Sequence, residues 1–350
     1  MSGKMKPGIV IGIVIVAAVV LLGVLRSGSR LVTAQSGRYI IMGTFARIVA
    51  VADDDKIARK CVESARDKLE LVNALMSDYD PNSEISKVNK QAYETQVGVS
   101  EETFFVLEKA LHFSEVSQGA FDVTIGPLVD LWHKAGEANS LPGDAEIAEA
   151  RSRVGCEKLL LDSQSRTVKF AVEGMRLDLG GIAKGYAIDL AVEAMKRQGA
   201  AGGMVEIGGD LRVFGKSPNA GKSWAVGIAD PREPGDGIAA GKMLMVLRLN
   251  DAAVATSGDY QRFVEVGGER YSHIISPSAA SGARGFSSVT VIGKSATDAD
   301  ALATAVSVMG SGEGMSLIEQ LEQAEAIVIS PAPEYKIQQS SGAGAYLDSR

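Results

Sequence analysis

The first pattern along the chain is an uncharged stretch, Pro7 to Leu25, framed by Lys4 and Lys6 before it and Arg26 and Arg30 after it. Its length stands at the lower limit for crossing a bilayer and exceeds a usual signal-peptide core. It predicts a membrane anchor or signal segment over 1–26, then a polar linker over 27–38. No cysteine follows for lipid attachment, and basic residues on both flanks leave the orientation open. From Tyr39 to Val51 the chain is β-branched and apolar and stops at Asp53-Asp54-Asp55, a strand and turn. From Lys56 to Met76 apolar residues (Ile57, Cys61, Leu69, Val72, Met76) return at helical spacing, with Asp55 as the candidate N-cap. A second helix is expected after Ser100, a capping hydroxyl followed by Glu101 and Glu102, and is expected to end near Gly119.

Further on, Arg176 to Leu179 reads as a strand end, Gly180-Gly181 as a turn, and Ala183 to Arg197 as a helix stopped by Gly199. Gly203 to Gly215, Lys242 to Leu249 and Arg284 to Ile292 read as strands between glycine-rich turns. Helical spacing returns over Asp298 to Met309 and Met315 to Leu321, before a short strand at Ala326 to Ile329. Residues 332–350 are expected to form a weakly ordered tail. Antiparallel-looking strands mixed with long helices give an α+β class, with one globular unit over 39–331.

Composition sharpens this only in places. The 350 residues allow one large unit but not two full-sized domains beyond the N-terminus. A net charge of -7, without a run of Lys or Arg, gives no footprint for nucleic acid. Cys61 and Cys156 are too few for a disulfide framework and lack metal-ligand spacing; Cys61 fits the buried face of its helix. The 39 glycines predict many tight turns and close backbone approaches.

Candidate chemistry concentrates in a few stretches. In Leu177-Asp-Leu-Gly-Gly-Ile-Ala-Lys-Gly-Tyr186, two glycines at a helix entrance and Lys184 in its first turn suit an anion such as a phosphate. A tight strand-to-helix turn reads equally well there. Asp300 and Thr304 lie four apart, so one helix face presents a carboxylate and a hydroxyl, oxygen ligands for Mg²⁺; the alternative makes Asp298 or Asp300 an N-cap and Thr304 a core filler. Of the three histidines, His273 precedes a proline-bearing turn and is the acid–base candidate. Met76 to Asn89 and Gly119 to Trp132 combine turn formers with Tyr79 and Phe121, rings that can stack on a planar group or fill a core.

Taken in order, Met42-Gly43-Thr44, the segment around Tyr79, Gly119 to Trp132, Asp178 to Tyr186, Glu206 to Asp210, Ser257-Gly-Asp-Tyr-Gln-Arg262, His273 and Asp300 to Thr304 resemble the ApbE family of FAD:protein FMN transferases, over about residues 39 to 330. The resemblance implies a bilobed α+β fold with FAD between its lobes. It implies transfer of FMN to a serine or threonine hydroxyl of an acceptor protein, with AMP leaving. FAD would contact Met42, Tyr79, Ala120, Phe121, Asp122, Asp178, Lys184 and Ile274. Mg²⁺ would be held by the Gly181 carbonyl, Asp300 and Thr304, and His273 would assist deprotonation of the acceptor.

In the family, acceptors are typically flavin-bearing subunits of membrane redox systems, which implies a catalytic domain outside the cytoplasmic membrane. The chain departs from the family pattern at Ser276, where an Asp is common, and at Ser278-Ala-Ala-Ser-Gly282, where an Arg-Thr-Gly turn is common. An FAD pyrophosphatase, a non-catalytic flavin-binding protein and a structural envelope protein are the competing readings.

Overall fold

The computed structural model describes residues 31–348 apart from 220–221, 234–240 and 260–262. The expected anchor at Pro7 to Leu25 and the Tyr260-Gln-Arg262 end of one motif lie outside the described residues. Strands begin with β1 (Val32–Gln35), β2 (Tyr39–Ile41) and β3 (Thr44–Ala52). β1 falls inside the segment expected as linker: Val32 to Gln35 pairs antiparallel with Ala52 to Val49 and so covers an edge of β3. Met42 and Gly43 join β2 to β3 with φ of 49° and 69°, the left-handed pair whose twist matches the flanking strands.

Helix α1 (Asp55–Met76) is capped by Asp54, whose carboxylate accepts the Ile57 N–H at 2.9 Å; Asp55, the expected cap, instead pairs with Arg59 one turn on. Its buried face is Ala58, Cys61, Ala65, Leu69, Val72 and Met76. Each fully buried Leu or Val there stabilises by about 1.5–3 kcal/mol. Two stretches rich in turn formers prove partly helical, as α2 (Glu84–Gln91) and, beyond α3 (Glu101–Val116), α4 (Gly126–Ala138). Helix α3 (Glu101–Val116) starts as expected, with the Ser100 hydroxyl accepting the Thr103 N–H. It stops short of Gly119 because Gln118 and Gly119 take left-handed φ of 54° and 82°. Next come α5 (Asp144–Ser152) and a small sheet of β4 (Val97–Gly98), β5 (Leu159–Asp162) and β6 (Thr167–Phe170).

Arg176 to Leu179 is extended but forms only a single parallel bridge, Arg176 to Ile125, and no strand. Helix α6 (Ala183–Arg197) keeps the expected limits, and Gly199 ends it with φ of 90°. There follow β7 (Gly202–Ile207), β8 (Asp210–Gly215), β9 (Trp224–Ala229), β10 (Met243–Leu249), β11 (Ala252–Gly258), β12 (Phe263–Val266), β13 (Glu269–Ser272), β14 (Ile275–Ser276), β15 (Ser281–Gly282) and β16 (Ser288–Gly293). Then come α7 (Ala296–Gln320), β17 (Ala324–Ile329) and β18 (Ile337–Gln339). Gly310, with φ of 78°, kinks α7 between the two helical stretches read from the sequence. Among the described residues α7 alone has the length and apolarity to cross a membrane, yet half of its most apolar stretch is buried in this core.

The main sheet has nine strands in the order β1-β3-β7-β8-β11-β16-β17-β18, with β2 paired to β3. The period of two divides its side chains between two cores. Ile48, Ala50, Val289, Val291 and Val328 pack with α1, α6 and α7, while Val49, Val213, Ile292 and Ile327 pack with Trp224, Ile228, Leu247 and Leu249 of β9 and β10. A third cluster joins Leu128 and Trp132 of α4 to Val266, Tyr271 and Ile275. The chain crosses between the first and third clusters at Val123 to Ile125 and again at Ile274 to Ile275.

The tail expected to be weakly ordered is docked instead. β18 pairs Ile337 to Gln339 with Ile329 to Ile327, Ala343 is fully buried, and Arg248 holds Asp348 at 2.8 Å.

Candidate functional site

The site grows from the way α6 and α7 meet, antiparallel and in steps of four residues. Asp189 receives the Ala296 and Thr297 N–H groups at 3.0 and 2.9 Å, together with the Ser295 and Thr297 hydroxyls. One turn earlier, the Gly185 N–H donates to Asp300 Oδ2 at 3.0 Å. One turn earlier again, a Cβ placed on Gly181 would stand 3.0 Å from Thr304 Oγ1 and 3.2 Å from the Phe121 ring. The register Asp189/Ala296, Gly185/Asp300, Gly181/Thr304 thus brings the three expected metal residues together. Ser295 and Asp189 cap α7, so Asp298 and Asp300 are free of the capping role that was their alternative reading.

Lys184 binds this arrangement to the sheet. Its ammonium bridges Asp210, at the start of β8, and Asp300 Oδ1, the latter at 3.2 Å. Asp210 and Asp300 are each 3% exposed. Burial on its own would depress the ammonium's pKa, but the two carboxylates outweigh it and hold Lys184 above an ordinary lysine. Burial pushes Asp300 up to about 6, with Lys184 acting in the opposite direction. Asp210 also accepts the Thr256 N–H of β11 at 2.9 Å. The same end of the sheet carries the Met42 turn, since Thr44 of that turn packs on Gly208.

A second group lines the crossing at Val123 to Ile125. The Asp178 N–H donates to the Val123 carbonyl at 2.8 Å, and its carboxylate accepts the Gly180 N–H at 2.8 Å; burial raises its pKa. Asp122 Oδ1 accepts the Thr124 N–H and hydroxyl at 2.7 and 2.6 Å and the Cys156 thiol at 3.1 Å. Burial, and then Asp122 itself, push that thiol up to about 12, which keeps it protonated and unreactive. Ala120 and Phe121 follow the α3 terminus, with the Phe121 N–H held by the Ser117 hydroxyl at 2.9 Å. The Phe121 ring is 3% exposed and stacks edge-on against Phe113, so it walls the site behind Gly181 and offers no open face. Tyr79 is 85% exposed on the α1–α2 connection, which Asp78 ties to Arg176 at 3.0 Å.

His273 is exposed on the β13–β14 connection, at the other crossing between clusters. Its neighbour Ile274 is buried, donating to the Ser272 hydroxyl and accepting the Ala283 N–H at 2.7 Å. Ser276 closes the next turn: its hydroxyl accepts the Ala279 N–H at 3.2 Å, and Ala280 takes φ of 52°.

Among the described residues no group of three or more His, Cys, Asp or Glu side chains could hold a metal. The candidate donors are instead a backbone carbonyl, one carboxylate and one hydroxyl, a hard-oxygen set that fits Mg²⁺. Sequence reasoning gave no role to Asp210, Asp189 or Thr124. A carboxylate beside the Gly208-Gly209 turn was the available signal for Asp210; nothing local marked the other two.

Comparison with known proteins places the whole fold. The model of the ApbE family matches residues 42–328. The FAD:protein FMN transferase of Vibrio cholerae serotype O1 is 33% identical over 310 residues, 87% of this chain and 90% of that protein. That of Haemophilus influenzae is 32% identical over 327 residues, 91% of this chain and 92% of that protein. Among solved structures, the ApbE protein of Thermotoga maritima superposes with a TM-score of 0.80 at 34% identity, covering 91% of this chain and all of its own. The flavin transferase ApbE of Vibrio cholerae gives a TM-score of 0.76 at 32% identity, covering 91% of this chain and 99% of that one. With this likeness running through both sequence and fold, the chain belongs to the ApbE family.

Proposed function

We propose that the protein is an FAD:protein FMN transferase that moves FMN from FAD to a serine or threonine hydroxyl of an acceptor protein. The observation that carries this reading is the α6/α7 register, which gathers Gly181, Lys184, Asp300 and Thr304 at a helix entrance, in a chain whose relatives bear that name. The pyrophosphate P–O bond breaks, AMP leaves with the electron pair, and the acceptor oxygen forms the new phosphoester bond. Mg²⁺ held by the Gly181 carbonyl, Asp300 and Thr304 would neutralise pyrophosphate charge when bound.

The other parts belong to the chain itself. The helix entrance at Gly180-Gly181 and the cation of Lys184 favour the phosphates. Tyr79 offers an exposed ring face for the isoalloxazine, and Met42, Ala120, Phe121, Asp122, Asp178 and Ile274 frame the remainder of FAD. His273, exposed at the rim, takes the proton of the acceptor hydroxyl.

Incubating the protein with FAD, Mg²⁺ and a threonine-bearing acceptor domain is expected to put in-gel flavin fluorescence on the acceptor. EDTA, Asp300→Ala or His273→Ala should abolish it. Free FMN without labelled acceptor would replace this reading with an FAD pyrophosphatase, and FAD binding without either product would leave a flavin-binding protein.

Pro7 to Leu25 tethers the domain outside the cytoplasmic membrane, where a flavin-bearing subunit of a membrane redox system is the fitting acceptor; tethering raises its local concentration. Protease added to intact spheroplasts should therefore degrade residues beyond Arg30, and protection of those residues would refute the placement.

A further inference from the structure

A cavity of about 220 Å³ lies beside His273, lined by Asp259, Arg270, Tyr271, Ser272, the Gly282 to Phe286 segment and Pro331. It shares no residue with the Gly181, Lys184, Asp300 and Thr304 group, so it is separate from the place proposed for the pyrophosphate. Ser272 lines it and Ile274 sits in the first core, so His273 stands on the chain between the cavity and the interior.

Each of its two arginines lies over an aromatic ring. Arg284 lies over Tyr271 at 5.9 Å, Tyr271 stacks on Trp132 at 4.8 Å, and the Trp132 indole N–H is anchored to the Ala280 carbonyl at 2.9 Å. Arg270 lies over Phe263 at 4.2 Å. A cation over an aromatic face is attracted to the ring, and the contact does not use the guanidinium N–H groups as hydrogen-bond donors.

Among the described residues neither guanidinium has a carboxylate within 4.0 Å, in a chain of net charge -7 that pairs many of its other arginines. Three carboxylates are near enough to matter. Glu265 faces Arg270 across the β12–β13 ladder, Glu269 accepts the Tyr271 hydroxyl at 3.2 Å, and Asp259 lines the cavity. Burial pushes Asp259 up to about 6, so it is still largely ionised at neutral pH, and the lining sets the two guanidinium charges of Arg270 and Arg284 against this one carboxylate.

We propose that this cavity receives an acidic side chain of the acceptor protein, one that lies close along the acceptor chain to the hydroxyl presented to His273. The inference rests on the transferase reading and names what its acceptor site recognises. A carboxylate between two guanidinium groups receives charge-assisted, directional hydrogen bonds, which place the neighbouring hydroxyl as well as bind it.

The test uses the full-length chain saturated with FAD in EDTA, and two fluorescein-labelled peptides. Each carries one central threonine, flanked within three residues by Asp in one and by Asn in the other. Anisotropy should show the Asp peptide binding about tenfold more tightly than the Asn peptide. Arg270→Gln with Arg284→Gln should erase that difference, while FAD affinity, read by flavin fluorescence, changes less than about twofold, well under the tenfold of a 1.4 kcal/mol contact. Equal binding of the two peptides, or no binding of either, overturns the proposal while FAD binding still supports the transferase reading. A large loss of FAD affinity in the arginine variant overturns it differently, by placing a nucleotide phosphate in the cavity. Failure of the unmodified chain to bind FAD would instead sink the transferase reading itself.

Discussion

Gly185→Ala is expected to lower the melting temperature by roughly 5 °C or more and to abolish FMN transfer. The direction is not obvious from local structure. Gly185 lies within α6, where alanine is the better helix former by about 1 kcal/mol. Against that, a Cβ at this position would sit 2.2 Å from the Ala296 carbonyl oxygen and 2.8 Å from the Thr297 Cα. Both are backbone atoms, so no rotamer change relieves the overlap and the helices have to separate. Overpacking of this kind costs about 1–3 kcal/mol or more and outweighs the propensity gain. Separation also draws Asp300 from the Gly185 N–H and Thr304 from Gly181, which is why activity falls further than stability. Calorimetry and the acceptor-labelling assay check the two effects. Gly344→Ala, whose Cβ meets nothing within 4 Å, serves as the control and should stay within about 0.5 kcal/mol.

Lys184→Met is the second large effect, and it carries a pH signature. Removing the ammonium leaves Asp210 and Asp300, whose side chains are 4% and 5% exposed, facing one another without a counter-charge. Breaking a buried ion pair from one side costs about 3–5 kcal/mol; the 27% exposure of the Lys184 side chain discounts this to about 2–4 kcal/mol. In the variant at least one carboxyl is forced to a folded pKa well above its unfolded value. Such a group binds a proton on folding, so the penalty is full above the folded pKa and is relieved as pH falls through it. The stability gap to the unmodified protein should therefore be wide at pH 8 and narrow towards pH 5, measured by urea unfolding at each pH. A gap that is constant over this range would show that the two carboxylates do not face one another unscreened. Transfer should fall by about a hundredfold at neutral pH, the scale of losing a charge aimed at the reacting group.

Much of this architecture was legible in the sequence wherever a local signal sufficed. The Ser100 cap, the limits of α6 and the break in α7 at Gly310 each follow from one or two residues acting on their own backbone. The pairing of Asp300 with Thr304 was legible for the same reason, because four residues on one helix share a face.

What stayed hidden depends on tertiary register. Asp189 looks like an ordinary polar residue of an amphipathic helix until α7 arrives antiparallel beside it. Asp210 becomes the partner of Lys184 only because β8 lies next to β11 at the end of the sheet where α6 begins. The short helices α2 and α4 were masked by their own composition, since Asp, Asn, Ser, Gly and Pro mark turns and helix starts alike. β1 and β18 were missed because each takes its order from the strand it joins rather than from its own pattern.

β18 has a meaning beyond tidying the C-terminus. Its neighbour β17, Ala-Glu-Ala-Ile-Val-Ile, is apolar on both faces, and without β18 its outer row of backbone donors and acceptors would be open. A bare edge of that composition is a template for self-association. By folding back over it, the last residues act as a solubility device, built into the chain where proteins more often place a lysine or a proline.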